Sequence, residues 1–403
     1  MTKENRLRPK KRLPRIMRLL KRIRPASLPV TYRNNRVVLF PDGPGFFRSL
    51  HAAIRSAQNF ILLEYYMIRA DQTGYALAGE LAVAVERGVR VLLIYDYIGC
   101  VETSPVFFKY LSQRGIELIP FNKPSFRRGV GWFDKRDHRK MAVIDGNLAF
   151  LGGFNIGDEY AGVVALMDCF RDVGFSVSGK AVQELVSIFR ETWQMERGDF
   201  PDLPDQPHPV PDKAGHSRRH GQANVIIVSG GPHHRSSYIR SAFLLSIASA
   251  SEEIIIATPY FVPGPRIIRS LLRATRRGVR VCLLLPSRCD VPLVSLLGRS
   301  YYAALLKQGI EIYELKGKIL HAKIMLIDGE RTVLGSANLD QRSFHRNFEL
   351  NAIIDSGAYG GQIRRLLLDD FNCSQRIILK HHEDRGTLAR ILERVVNLFS
   401  WFL

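Results

Sequence analysis

The chain has 403 residues, 46% of them hydrophobic, which is more than one core usually serves and enough for two. Its 58 Lys and Arg against 38 Asp and Glu leave a net charge of +20, which suits an anionic partner, either nucleic acid or an acidic membrane surface. Five scattered cysteines without a C-x-x-C pair speak against a disulfide framework or a zinc site, and no apolar run approaches the roughly 18 residues of a membrane span.

Residues 1–30 hold eleven basic residues and one acid, Glu4, and so supply half of the net charge. Within them Leu13, Ile16, Leu19, Leu20 and Ile23 recur at helical spacing, flanked by Arg12, Arg15, Arg18, Lys21 and Arg22. This pattern predicts a basic amphipathic helix, which suits a lipid headgroup layer or a docking site on its own domain. It is not followed by the apolar core of a secretory signal, so any membrane contact is expected to be peripheral.

Residues 31–200 read as a first domain. A helical pattern at 46–58 runs into an apolar strand ending near 68, then come GVRVLLIYD (88–96) and RGIELIPF (114–121). Residues 201–222 are too rich in proline for helix or central strand and read as a linker. Residues 223–383 repeat the first domain: SAFLLSIASASEEIIIATPYFV (241–262), GVRVCLLLPS (278–287) and QGIEIYEL (308–315) follow in the same order. Helices alternating with short apolar strands predict an α/β fold made twice, each domain a largely parallel sheet flanked by helices. Residues 384–403 carry Leu388, Ile391, Leu392, Val395, Phe399 and Phe402 at helical spacing, a docked closing helix or an interfacial anchor.

Each half contains the same sparse motif. His138 and Lys140 are followed by Asp145, Gly152-Gly153 and Asn155, and His321 and Lys323 by Asp328, Gly335-Ser336 and Asn338, with identical steps from the histidine. One such pattern is weak evidence; two copies with matching spacing are not. Asp-Gly at 145–146 and 328–329 marks a tight turn between apolar strands. Strand alternation puts His138 with Lys140, and His321 with Lys323, on one face, while both aspartates have the opposite parity and read as braces of the turn. The small residues that follow let the return strand bring Asn155 and Asn338 beside that face.

Two imidazoles, two ammoniums and two amides around a gap suit a tetrahedral phosphate, whose developing charge they stabilise without metal. The site lacks a carboxylate cluster for Mg²⁺ or Zn²⁺, so neither a metal nor a cofactor is expected. Two histidines divide into nucleophile and general acid, and each needs an acceptor for its other ring nitrogen. Glu349 is the candidate for His321; Asp172, with Asp168 as competitor, is the candidate for His138.

The duplicated H-x-K-x4-D followed by G-[GS]-x-N resembles the phospholipase D superfamily from about residue 35 to 380. HRKMAVIDGNLAFLGGFNIGDEY and NLDQRSFHRNFELN are most similar to bacterial cardiolipin synthases. The resemblance implies two such domains related by a pseudo-twofold, one site between them, and a phosphohistidine intermediate. It makes His138, Lys140, Asp145, His321, Lys323 and Asp328 the catalytic set, with His138 as nucleophile and His321 as general acid, an order the residues alone leave open. Lys140, Lys323, Asn155 and Asn338 would hold the phosphate. The expected reaction joins two phosphatidylglycerol molecules into cardiolipin and glycerol, at the cytoplasmic face of a bacterial inner membrane. A hydrolytic phospholipase D and a metal-independent nuclease are the alternatives; the concentration of charge in one segment argues against nucleic acid. Long members of that family begin with two transmembrane helices where this chain has the basic segment. The oligomeric state is left open.

Overall fold

A computed structural model describes residues 29–125, 133–164, 169–203, 222–232 and 238–384. The amphipathic pattern within 1–28, most of the proline-rich stretch, all but one residue of the C-terminal segment, and Asp168 lie outside the described residues.

Short polar residues start several of the helices. Asp42 accepts from Gly45 N at the start of Gly43–Ser56, Asp71 from Gly74 N before Gln72–Glu86, and Ser356 from Tyr359 N before Gly357–Asn372. The strands between them are apolar on both faces: Phe60–Tyr65 and Glu253–Ala257 are aliphatic or aromatic except for Glu64 and Glu253.

The two halves repeat one topology. In the first, Phe60–Tyr65, Arg90–Asp96 and Glu117–Phe121 run parallel; beside Phe60–Tyr65 lie Lys140–Ile144, Leu148–Gly152, Gly174–Ser178 and Thr31–Phe40, each antiparallel to its neighbour. In the second, Glu253–Ala257, Arg280–Pro286 and Glu311–Leu315 are parallel, and Ile324–Ile327, Arg331–Gly335, Glu349–Asp355 and Gln222–Gly230 continue antiparallel. Thr31–Phe40 pairs antiparallel with Gln222–Gly230, so the halves form one 15-stranded sheet.

The α/β class and the duplication match the sequence reading, but the largely parallel sheet expected for each half does not. Within the 15-stranded sheet only strands joined through helices pair in parallel. The strands on either side of the Asp-Gly turns form hairpins, which are antiparallel of necessity, and the remaining ladder follows them.

Helices cover both faces of the sheet. On one face a single core runs through both halves, from Leu62 and Phe175 to Leu326 and Leu350, beneath Val182–Arg197 and Gly357–Asn372. On the other, each half has its own core, under Gly43–Ser56 and Gln72–Glu86 in one and under Tyr238–Ser249 and Gly264–Arg276 in the other. Among the described residues no helix is long and apolar enough to cross a membrane.

Candidate active site

The motif strands Lys140–Ile144 and Ile324–Ile327 begin at the same edge of the sheet, where the parallel strands end. Tyr65 lies opposite Lys140, and Ala257 opposite Ile324. At this edge the halves are stitched together by short parallel pairings. Asp137 bridges to Phe348, with His138 N donating to Phe348 O at 2.9 Å. Leu320 pairs with Arg171, and His321 N donates to Arg171 O at 2.9 Å. The residue before each motif histidine is thus tied to the residue before a carboxylate of the other half.

The carboxylates follow from that register. His138 Nδ1 lies 3.1 Å from both oxygens of Glu349, and His321 Nδ1 bonds Asp172 Oδ2. The structure brings together both carboxylates singled out from sequence, but with the pairing exchanged: Glu349 serves His138 rather than His321, and Asp172 serves His321 rather than His138. With Nδ1 engaged, Nε2 of each ring is the nitrogen left for a substrate.

Glu349 is buried and also accepts from Ser336 Oγ at 2.5 Å, Ser343 Oγ at 2.8 Å and Asn347 Nδ2 at 3.3 Å. Asp172 accepts from Val173 N at 2.8 Å and has Lys323 Nζ at 3.8 Å. A side chain at Gly153 would meet the Asp172 carboxylate at 2.2 Å, so the glycine leaves the room that Asp172 occupies. Its counterpart Ser336 is instead a hydrogen-bond donor to Glu349.

Lys140 Nζ donates to His138 O at 2.7 Å and sits 5.2 Å from the centre of the Tyr66 ring; Lys323 Nζ donates to His321 O. Aromatic edges flank the imidazoles: Tyr66 at 5.0 Å from His138, Tyr160 and Phe170 at 5.5 and 4.9 Å from His321. Asn155 Nδ2 bonds Tyr160 Oη at 2.8 Å, and the Oδ1 atoms of Asn155 and Asn338 are buried without a partner.

Burial, followed by the charge of Lys140, pushes His138 down to about 4. Burial and then Lys323 lower His321 likewise. Burial pushes Lys140 down to about 7, with Lys323 adding to the effect and Glu349 opposing it, and Lys323 is lowered by the same first cause. Burial alone would raise the two carboxyls, but His138 and Lys140 hold Glu349 below its ordinary value, and Lys323 and His321 do the same for Asp172. The two carboxyls are thus shifted toward their charged form, beside imidazoles whose protonation burial disfavours.

Asp145 and Asp328 stand at the far end of the motif strands. Asp145 accepts from the backbone of Gln58, Asn59 and Phe60, and Asp328 from that of Ser251, Glu252 and Glu253 and from Ser251 Oγ. Asp145 lies five residue steps beyond Lys140, roughly 16 Å at the usual rise. The structure places these aspartates as turn braces outside the cluster that gathers the other eight motif and carboxylate residues.

Several neighbours of the site carry no signal in the repeat. Beneath His138, Arg139 bonds Glu64 Oε1, Thr192 Oγ1 and Ser229 Oγ, and burial, then Glu64, holds Asp137 well above the ordinary carboxyl range. The second half has Leu320, Ala322 and Ala257 at the matching positions, so the duplication hides this network. Tyr260, which bonds Asp290 at 2.7 Å, stands where the first half has Met67, so the repeat gives no signal for it either.

The family model described as "Cardiolipin synthase, PLD-like domain" matches residues 50–193 and 244–371. A cardiolipin synthase of Geobacillus kaustophilus is 36% identical over 391 residues, covering 96% of this chain and 75% of that protein. Cardiolipin synthase 2 of Bacillus cereus is 36% identical over 363 residues, covering 89% and 69%. Among solved structures, a phosphatidylserine synthase of Haemophilus influenzae shares the fold with a TM-score of 0.71 at 12% identity, covering 96% of this chain and 97% of that one. The chain belongs to the cardiolipin synthase family of phospholipase D-like proteins.

Proposed function

We infer that this protein is a cardiolipin synthase, a phosphatidyltransferase that acts on phospholipids, and that both of its substrates are phosphatidylglycerol. The observation that carries the mechanism is the pair of crossed histidine–carboxylate contacts flanked by Lys140 and Lys323. Neutral His138 attacks phosphorus through Nε2, the bond from phosphorus to the headgroup glycerol oxygen breaks, and His321 delivers a proton to that oxygen. A headgroup hydroxyl of the second lipid then attacks, His321 takes its proton, and the phosphorus–nitrogen bond breaks to give cardiolipin.

Burial and Lys323 disfavour the protonated form of His321 in the free site, so the substrate is needed to favour its proton. A phosphodiester carries one negative charge, and its arrival beside a buried imidazole raises the affinity of that imidazole for a proton. Lys140 and Lys323 bear on the same charge. A half-turn of the Asn155 amide would let it accept from Tyr160 Oη and present its NH2 to a phosphate oxygen. Peripheral attachment to the cytoplasmic face of an anionic membrane completes the reading.

The test is the full chain with labelled phosphatidylglycerol in mixed micelles, with EDTA present throughout. Cardiolipin and glycerol should form in equal amounts, and acid-quenched enzyme should carry phosphatidyl label on His138. His138→Ala and His321→Ala should each abolish turnover. Phosphatidic acid as the sole product would make the enzyme a hydrolase. Loss on chelation with rescue by one divalent ion would overturn the mechanism.

A further inference from the structure

Six aliphatic side chains stand unusually far out of the surface at one edge of the molecule. Val101, Val106, Val163, Val164, Val291 and Leu293 are between 37 and 69% exposed. They belong to three separate crossovers. Val101 and Val106 follow Arg90–Asp96, Val291 and Leu293 follow Arg280–Pro286, and Val163 and Val164 follow Leu148–Gly152. Those strands all end at the edge that holds His138 and His321, since Asp96, Pro286 and Gly152 lie at the same sheet end as Tyr65, Leu315 and Gly174. The first two crossovers occupy matching places in the two halves, so apolar tips flank the site from both sides of the pseudo-twofold.

We infer that this edge docks on a phospholipid bilayer, with the aliphatic tips entering the acyl boundary around the mouth of the active site. The tips come from three separate connections, two of them from the first turns of helices, and a deformable surface accepts each of them separately. Exposed Lys109 lies on the first of these crossovers, and exposed Lys123, Lys135, Lys316 and Lys318 on the connections that follow Glu117–Phe121 and Glu311–Leu315 at the same sheet end; cations beside apolar tips match an anionic headgroup layer over hydrocarbon. The inference rests on the lipid-substrate reading above and adds to it the orientation: the site faces the bilayer directly, whatever else tethers the chain.

Tryptophan placed at single positions of the full chain reads the contact without depending on turnover. Vesicles would contain phosphatidylglycerol and a phosphatidylcholine brominated in its acyl chains, with flotation establishing that the protein is bound. The emission added by Val106→Trp and by Leu293→Trp should shift to the blue and be quenched. Emission added by Val83→Trp, at the opposite end of the sheet, should do neither. The combined V101D/V106D/L293D variant should partition about 30-fold more weakly or worse, yet turn over monomeric short-chain phosphatidylglycerol within about 2-fold of the parent. If vesicle-bound protein leaves both rim tryptophans unquenched, or the parent fails to bind vesicles, the docking face is wrong. A blue shift that needs protein concentration and no vesicles would assign the tips to a second copy of the chain and overturn the inference equally. Absence of cardiolipin in the parent reaction, with quenching intact, would instead fail only the catalytic reading.

Discussion

Glu349 and Asp172 each hold the histidine of the opposite half, over sequence separations of 211 and 149 residues. A buried carboxylate on Nδ1 fixes the tautomer and stabilises the imidazolium as it forms. Glu349→Gln and Asp172→Asn should therefore each lower kcat/KM on the order of 10³-fold with little change in KM. Nitrogen NMR separates the pairings: Asp172→Asn should move the Nδ1 resonance of His321 and leave that of His138 in place. The pH profile follows from the same contacts. His138, with its pKa near 4, is neutral above that value, and Lys140, near 7, loses its charge as pH rises through it, so kcat/KM should fall on both sides of this window. Glu349 raises both groups, so Glu349→Gln should move both limbs to lower pH, and Lys140→Arg should remove the alkaline limb. The histidines, lysines and asparagines were legible because duplication repeats them at fixed spacing. Their pairing was not, because distance along the chain says nothing about which half a carboxylate faces.

At the scale of elements, the Asp-Gly turns carry the argument. Asp145 and Asp328 have φ of 48° and 51°, and Gly146 and Gly329 follow at 64° and 66°, closed by Asn147 N to Ile144 O and Glu330 N to Ile327 O. Two consecutive left-handed residues twist a hairpin correctly, and aspartate tolerates that region better than most residues do. Its carboxylate then ties the turn to the start of the neighbouring strand at Ser251, Glu252 and Glu253. Asp328→Ala should cost about 2 kcal/mol in urea unfolding, from lost amide acceptors and the left-handed conformation, with partial solvation keeping the figure modest. Burial opposes the shift, but the amides of Glu253 and Glu252 hold Asp328 below its ordinary value. Its stabilisation is therefore present above about pH 4 and lost as pH falls through the depressed folded value, so parent and variant should converge in acid. Asp328→Asn, which keeps one acceptor and tolerates the φ, should lose less stability and keep kcat within a few-fold. The hairpins were legible in the sequence, yet the sheet was expected to be largely parallel. The helical crossovers dominate the pattern of periodicity, while the antiparallel strands between them are short and apolar on both faces.

The whole molecule is organised by its seam. Thr31–Phe40 and Gln222–Gly230 join the half-sheets, and one core runs beneath both. At the site edge Arg171 makes two hydrogen bonds to the Asp370 carboxylate, at 2.8 and 2.9 Å, and Arg346 meets Asp134 at 2.8 Å. A half standing alone would expose that core, and its histidine would lack the acceptor on Nδ1. Residues 1–203 and 204–403 expressed as separate chains should therefore each be inactive. Mixed together they should regain transfer activity, with a concentration dependence that reports their association. The Arg171–Asp370 pair is buried, so Asp370→Ala strands a guanidinium and should weaken reassembly by about 100-fold or more. The exposed rim valines should leave reassembly unchanged. Analytical ultracentrifugation alongside the transfer assay tests both halves of the statement. Turnover by the isolated 1–203 chain would mean that His138 works without Glu349, and the crossed pairing would then be an accident of packing rather than the reason the two halves share one sheet.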